Sequence, residues 1–145
     1  MMVGKKKLGD VELGEKIVGR SITIGEWHVM TFAGLTGDFY PLHTDAEFAA
    51  GSPFSGRIAH GLLTFVVGAG FLANELADYD VVAALGFGAT RFTSPVMFGD
   101  TITPTGTVTE VAPKEGRGVV AFDIDITNQR GETVVSSSMQ VMIRA

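Results

Sequence analysis

The spacing of apolar residues changes midway along the chain. Up to about Leu76 they recur at helical intervals; beyond it they alternate or cluster as strand residues do. Residues 20–24 predict a short strand. Thr23 and Glu26 then stand at capping-box spacing, which predicts a helix start. Val29, Phe32, Ala33 and Leu35 continue it for about three turns, and Gly37 ends it. Thr44 and Glu47 repeat the box, predicting one or two turns over 45–50, closed by Gly51-Ser52-Pro53. Residues 59–76 are apolar nearly all round, and such a helix has to be enclosed by other structure.

The second half supplies the enclosure. Segments 82–92, 101–111, 118–128 and 133–143 are rich in Val, Thr, Ile and Phe. Phe122-Asp123-Ile124-Asp125-Ile126 alternates strictly, so one face is buried and the other wet. Gln129-Arg130-Gly131 is a hairpin turn signal. Pro104, which cannot donate to a ladder, predicts an edge or a bulge. One long buried helix with several antiparallel strands is an α+β architecture in which the sheet wraps the helix. With 145 residues and neither linker nor repeat, the chain reads as one domain, residues 1–13 forming a partly flexible segment.

Composition narrows the functions. A net charge of −5 argues against nucleic acid as a partner, since phosphate binding needs a basic face. The one basic run, Lys5-Lys6-Lys7, reads as a solvated tail. Without cysteine there are no disulfides, thiolate metal sites or Cys nucleophiles, which suits a reducing cytoplasm. The N-terminus does not read as a signal peptide, and the apolar run 58–73 is short for a membrane span. Gly68-Ala69-Gly70-Phe71-Leu72-Ala73 has the spacing of a dinucleotide fingerprint, but no acid follows between residues 81 and 95. It reads as small residues on a closely packed helix. The three histidines lack a zinc-ligand spacing, so no metal is expected.

Chemistry concentrates in Thr36-Gly37-Asp38-Phe39-Tyr40-Pro41-Leu42-His43-Thr44-Asp45, a loop that Gly37 and Pro41 stiffen. A carboxylate on Asp38 and an imidazole on His43, aimed at one point, can share a water as an acid–base pair near neutral pH. Asp45 follows Thr44 at a helix start and reads as structural. His28 reads as a surface residue. A second piece, Arg57-Ile58-Ala59-His60-Gly61, leads into the buried helix. The first N–H groups of a helix are unpaired within it, and Gly61 has no side chain to keep a substrate carbonyl away. Its amide is a candidate oxyanion donor. Ala59, His60 and Tyr40 are candidate substrate-binding neighbours, His60 chiefly through structural hydrogen bonds.

The paired motif Gly37-Asp38-x-x-Pro41-Leu42-His43-x-Asp45 and Phe54-x-x-x-Ile58-Ala59-His60-Gly61 resembles that of the MaoC-like dehydratases, which include (R)-specific enoyl-CoA hydratases. Phe92-x-x-Pro95-Val96-x-x-Gly99-Asp100-Thr101 resembles their later pattern. The resemblance runs from about Gly14 onward. It implies a hot-dog fold, a homodimer, and no cofactor beyond the coenzyme A or carrier protein of a thioester substrate. It also implies water addition to a trans-2-enoyl thioester giving an (R)-3-hydroxyacyl thioester, or the reverse. Asp38 and His43 would then be the catalytic pair and the Gly61 N–H the oxyanion donor. Two positions depart from the pattern: Tyr40 stands where relatives commonly carry Asn, and Ala69 where several carry a small polar residue at the pocket side of the helix. The rival readings are a thioesterase, which the same fold also hosts, and a silent acyl-CoA-binding module in which Tyr40 blocks turnover.

Overall fold

Among the described residues, seven strands form one sheet in the order β1 (Lys16–Val18), β5 (Thr101–Lys114), β6 (Arg117–Thr127), β7 (Thr133–Arg144), β3 (Val81–Phe87), with β2 (Ile22–Thr23) also on β5 and β4 (Arg91–Phe92) also on β7. The computed structural model describes residues 4–145. All pairings are antiparallel. The helices are α1 (Glu26–Thr36), α2 (Pro41–Thr44), α3 (Ala46–Ala50) and α4 (Gly61–Glu75).

Alternation in β6 works as its sequence requires. Val120, Phe122, Ile124 and Ile126 are buried, while Asp123 and Asp125 face outward. A bulge between Val108 and Glu110 interrupts the β5–β6 register; bulges bend a strand and raise its twist. The inner face meets α4 through Leu63, Phe65 and Leu72, packed with Val108, Phe122, Val135, Met139, Val141 and Ile143. Gly68 allows the closest approach: a Cβ there would run into the Ile126 side chain. This is the hot-dog arrangement that the resemblance implied. The stretch Gly61–Asp78 is long and apolar enough to cross a membrane by composition alone. Here it is the helix the sheet holds.

Several local expectations shift. Thr23 belongs to β2, and Gly25 is the N-cap of α1; its N–H donates to His28 Nδ1 at 3.1 Å. His28 is therefore a half-buried cap partner, not a plain surface residue. Thr44 ends α2 with its hydroxyl donated to the Phe39 carbonyl, and Asp45 caps α3 by accepting the Phe48 N–H at 3.0 Å. Segment 82–92 splits into β3 and β4, and the three-residue β1 had no readable pattern of its own. Pro104 is neither at an edge nor at the bulge. Its carbonyl accepts from Gly19 N–H at 2.9 Å, so its missing donor faces the break between β1 and β2. Lys6 is not in a solvated tail: it bridges to Tyr79 and pairs with Glu15, while Leu8 and Val11 are buried. Finally, α4 is enclosed on one side only, since Leu62 and Val66 remain exposed in the single chain.

Candidate active site

The site is built where α1 ends. Gly37 takes a left-handed conformation, φ +80°, and closes α1. Asp38 Oδ1 then accepts the Tyr40 N–H at 3.2 Å, an Asx turn that tightens the loop. Pro41, whose fixed φ suits a first helical position, opens the single turn that carries His43.

His43 Nδ1 lies 2.8 Å from the Ile58 carbonyl oxygen, which can only accept. The proton of the neutral ring is therefore on Nδ1, and Nε2 offers a lone pair. By the same logic His60 Nε2 donates to the Asp38 backbone carbonyl at 2.9 Å. This bond ties the start of α4 to the Asp38 loop. The two imidazoles stack with centroids 4.0 Å apart and planes 31° apart. His60 is 2% exposed, and its Nδ1 has no hydrogen-bond partner among the described residues. Burial pushes the His60 imidazole below its ordinary pKa, helped by neighbouring His43 and opposed by the Asp38 carbonyl and carboxylate.

A carboxylate oxygen of Asp38, a ring nitrogen of His43 and a ring nitrogen of His60 all lie within 4.8 Å of one another. Sequence spacing did not foretell this triple. It has enough donors to suggest a cation; each ring also hydrogen-bonds a carbonyl through one nitrogen, which fixes its tautomer for ligation and for proton transfer alike. The same geometry suits proton transfer through His43 Nε2 and the Asp38 carboxylate.

His43 stands on the rim of a cavity of about 320 Å³. Ala59, Gly61 and Thr64 form the helix side, and Phe92, Val134 and Val135 the sheet side. Gly61 is the first residue of α4, so its N–H has no partner within the helix. A Cβ at this position would sit 2.6 Å from the Phe92 ring. The absence of a side chain on Gly61 thus accommodates Phe92 directly, a contact that sequence reasoning missed although Phe92 opens a quoted motif. Ala59 lines the cavity, but its N–H is donated to the Val96 carbonyl at 2.8 Å. Ala69 packs against the core and not on this cavity. Tyr40 does not line it either; its ring stands edge-on to His43, centroids 6.3 Å apart, over a neighbouring groove. Phe54, in sequence only a motif residue, walls both hollows.

Known proteins with similar sequences and folds share this arrangement of elements. An (R)-specific enoyl-CoA hydratase from Rhodospirillum rubrum is 35% identical over 129 residues, covering 85% of this chain and 82% of that protein. An Archaeoglobus structure described as a monoamine oxidase regulatory protein superposes with a TM-score of 0.92 at 36% identity, covering 99% of this chain and 97% of that one. The (R)-hydratase of Aeromonas caviae, described as involved in PHA biosynthesis, gives 0.78 at 32% identity over 90% of this chain and 96% of its own. The model of the MaoC like domain matches residues 10–129, a span that holds the Asp38 loop, α4 and the Phe92 segment together. With the paired motif folded into one site and most of its length matched, the chain belongs to the MaoC-like domain family.

Proposed function

We propose that this chain is a hydro-lyase that adds water across the double bond of a trans-2-enoyl thioester, or removes it from the (R)-3-hydroxyacyl thioester. The observation that carries the reading is the free His43 Nε2 beside the Asp38 carboxylate, on the rim of a cavity that Gly61 lines. The relatives' names, hydratase and hydroxyacyl-thioester dehydratase, support it.

The thioester carbonyl lies against the Gly61 amide. As water oxygen bonds to C3, the C2=C3 pair shifts toward C2 and the carbonyl oxygen gains negative charge, which the amide stabilises. One member of the Asp38–His43 pair takes a proton from the water. The other delivers a proton to C2, so H and OH are added with no change of oxidation state. No further cofactor is needed, because coenzyme A or a carrier protein arrives as part of the substrate. The functional unit is a homodimer closed over the apolar face described above, and the cysteine-free chain works in the cytoplasm.

Incubation with crotonyl-CoA tests the reading. Loss of the ultraviolet absorbance of the conjugated thioester without thiol release is expected. Thiol release would assign the site to a thioesterase. Binding by calorimetry with neither signal, across several chain lengths, would make it a silent acyl-CoA module.

A further inference from the structure

Phe54 separates two apolar hollows of similar size. The inner one is the cavity beside His43 and Gly61. The outer one, also about 320 Å³, runs over α2 and α3 between Tyr40, Leu42, Phe48 and Pro53. Phe54 is in the wall of both and is 38% exposed. Its loop is short and already committed: Ser52 Oγ donates to the Ala49 carbonyl at 2.7 Å and accepts the Phe54 N–H at 3.2 Å. Ser55 follows with φ +57°, a left-handed conformation unusual for a residue with a side chain. The backbone therefore directs the Phe54 ring to the boundary between the hollows.

We propose that Phe54 is the specificity-determining partition of the acyl channel, and that the outer groove is the continuation of that channel. The inference rests on the hydratase reading. The occupant follows from the lining. Gly51 and Ser52 N–H groups are spent on the Phe48 and Ala49 carbonyls, and the Ser52 hydroxyl is spent as above. A pantetheine arm carries amide carbonyls that would lose their water there with the Tyr40 phenol as the one side-chain donor left in the lining, which is costly. A plain alkyl chain loses nothing polar. The ring at the boundary stops that chain, so the intact protein prefers short, unbranched enoyl groups. Tyr40 supplies the far aromatic wall.

The test is the ratio of kcat/KM for trans-2-octenoyl-CoA to that for crotonyl-CoA. Each newly enclosed methylene is worth about fourfold in affinity. Two or three of them would raise the ratio by roughly 15- to 60-fold in Phe54→Ala. Phe54→Trp is expected to lower the ratio. Adding Tyr40→Ala to Phe54→Ala is expected to return part of the gain, because it strips the groove of a wall. Should Phe54→Ala fail to fold, Phe54→Leu carries the same test with a smaller rise. Ratios unmoved by all of these in folded proteins, with hydration intact, overturn the partition alone. A gain that Tyr40→Ala leaves untouched overturns the outer groove as the path. No hydration by the unsubstituted protein at any chain length sinks the hydratase reading, and the partition with it.

Discussion

The two residues proposed as the acid–base pair sit on one short turn, and their structural duties are light. Asp38 is exposed, and its carboxylate makes one bond, to the Tyr40 N–H. Asn keeps that acceptor, so Asp38→Asn should leave the thermal melt almost unmoved while kcat/KM falls by about 10²–10⁴. His43→Ala should lose activity on the same scale. It also gives up the bond to the Ile58 carbonyl, worth about 1 kcal/mol, so a melt lower by a few degrees is expected. A melt that collapses in either variant would reassign the residue to structure. Gly61 differs, because its neighbour is a ring. Gly61→Ala keeps the N–H but drives a Cβ into Phe92, and overpacking of this kind costs about 1–3 kcal/mol. Phe92→Ala should remove most of that penalty. A double-mutant cycle by chemical denaturation measures the coupling, and additive effects would show that Phe92 is not what the glycine accommodates.

At the scale of elements, the turn joining β6 to β7 is bound to the start of β5 through Asp100. Its Oδ2 accepts the Met97 N–H at 2.9 Å, while Oδ1 accepts Gln129 Nε2 at 2.7 Å and Arg130 Nη1 at 3.2 Å. Asp100 is 5% exposed. Burial alone would raise its pKa, but these donors together hold the carboxyl below the usual aspartate range. The folded state thus favours the ionised form. The stability this gives is fully present above the ordinary aspartate value of about 4 and is lost as pH falls through the depressed folded value. Asp100→Asn should cost about 1.5–3 kcal/mol near neutral pH and flatten the acid limb of the melting curve. An unchanged acid limb would mean that other carboxylates dominate it. The same element scale explains what the sequence could and could not convey. The strands β5 to β7 were legible because their alternation is long. The caps fall one or two residues from the sequence expectation because Thr23–Glu26 and Thr44–Glu47 have box spacing, whereas the N-caps are Gly25 and Asp45. Asp38 and His43 were legible because one local turn positions both. The stacking of His60 on His43 and the ring over Gly61 join residues 17 and 31 apart in sequence, and the double role of Phe54 depends on where the sheet side of the cavity falls, so local pattern has no reach there.

At the scale of the whole molecule, one face is unfinished. The strand β3 is an edge of the sheet, and every residue in it is exposed, Val82, Leu85 and Phe87 at 46–50%. The neighbouring side of α4 shows Leu62 and Val66, and Phe65 of that helix meets Phe87 at 5.0 Å, which makes strand and helix one patch. Phe92, 53% exposed, extends it to Gly61. An unpaired edge flanked by apolar side chains is a template for pairing with another chain. A second copy offers the matching edge, because a two-fold axis places each patch on itself. Sedimentation of the intact protein should give twice the 15.3 kDa of the chain. Leu85→Lys combined with Val66→Glu should give the single chain. Activity should fall with it, although neither residue lines the cavity, because Phe92 and Gly61 lose the cover that holds the cavity wall. A double variant that sediments as a monomer with undiminished kcat/KM would separate assembly from catalysis and make each chain sufficient for its own site.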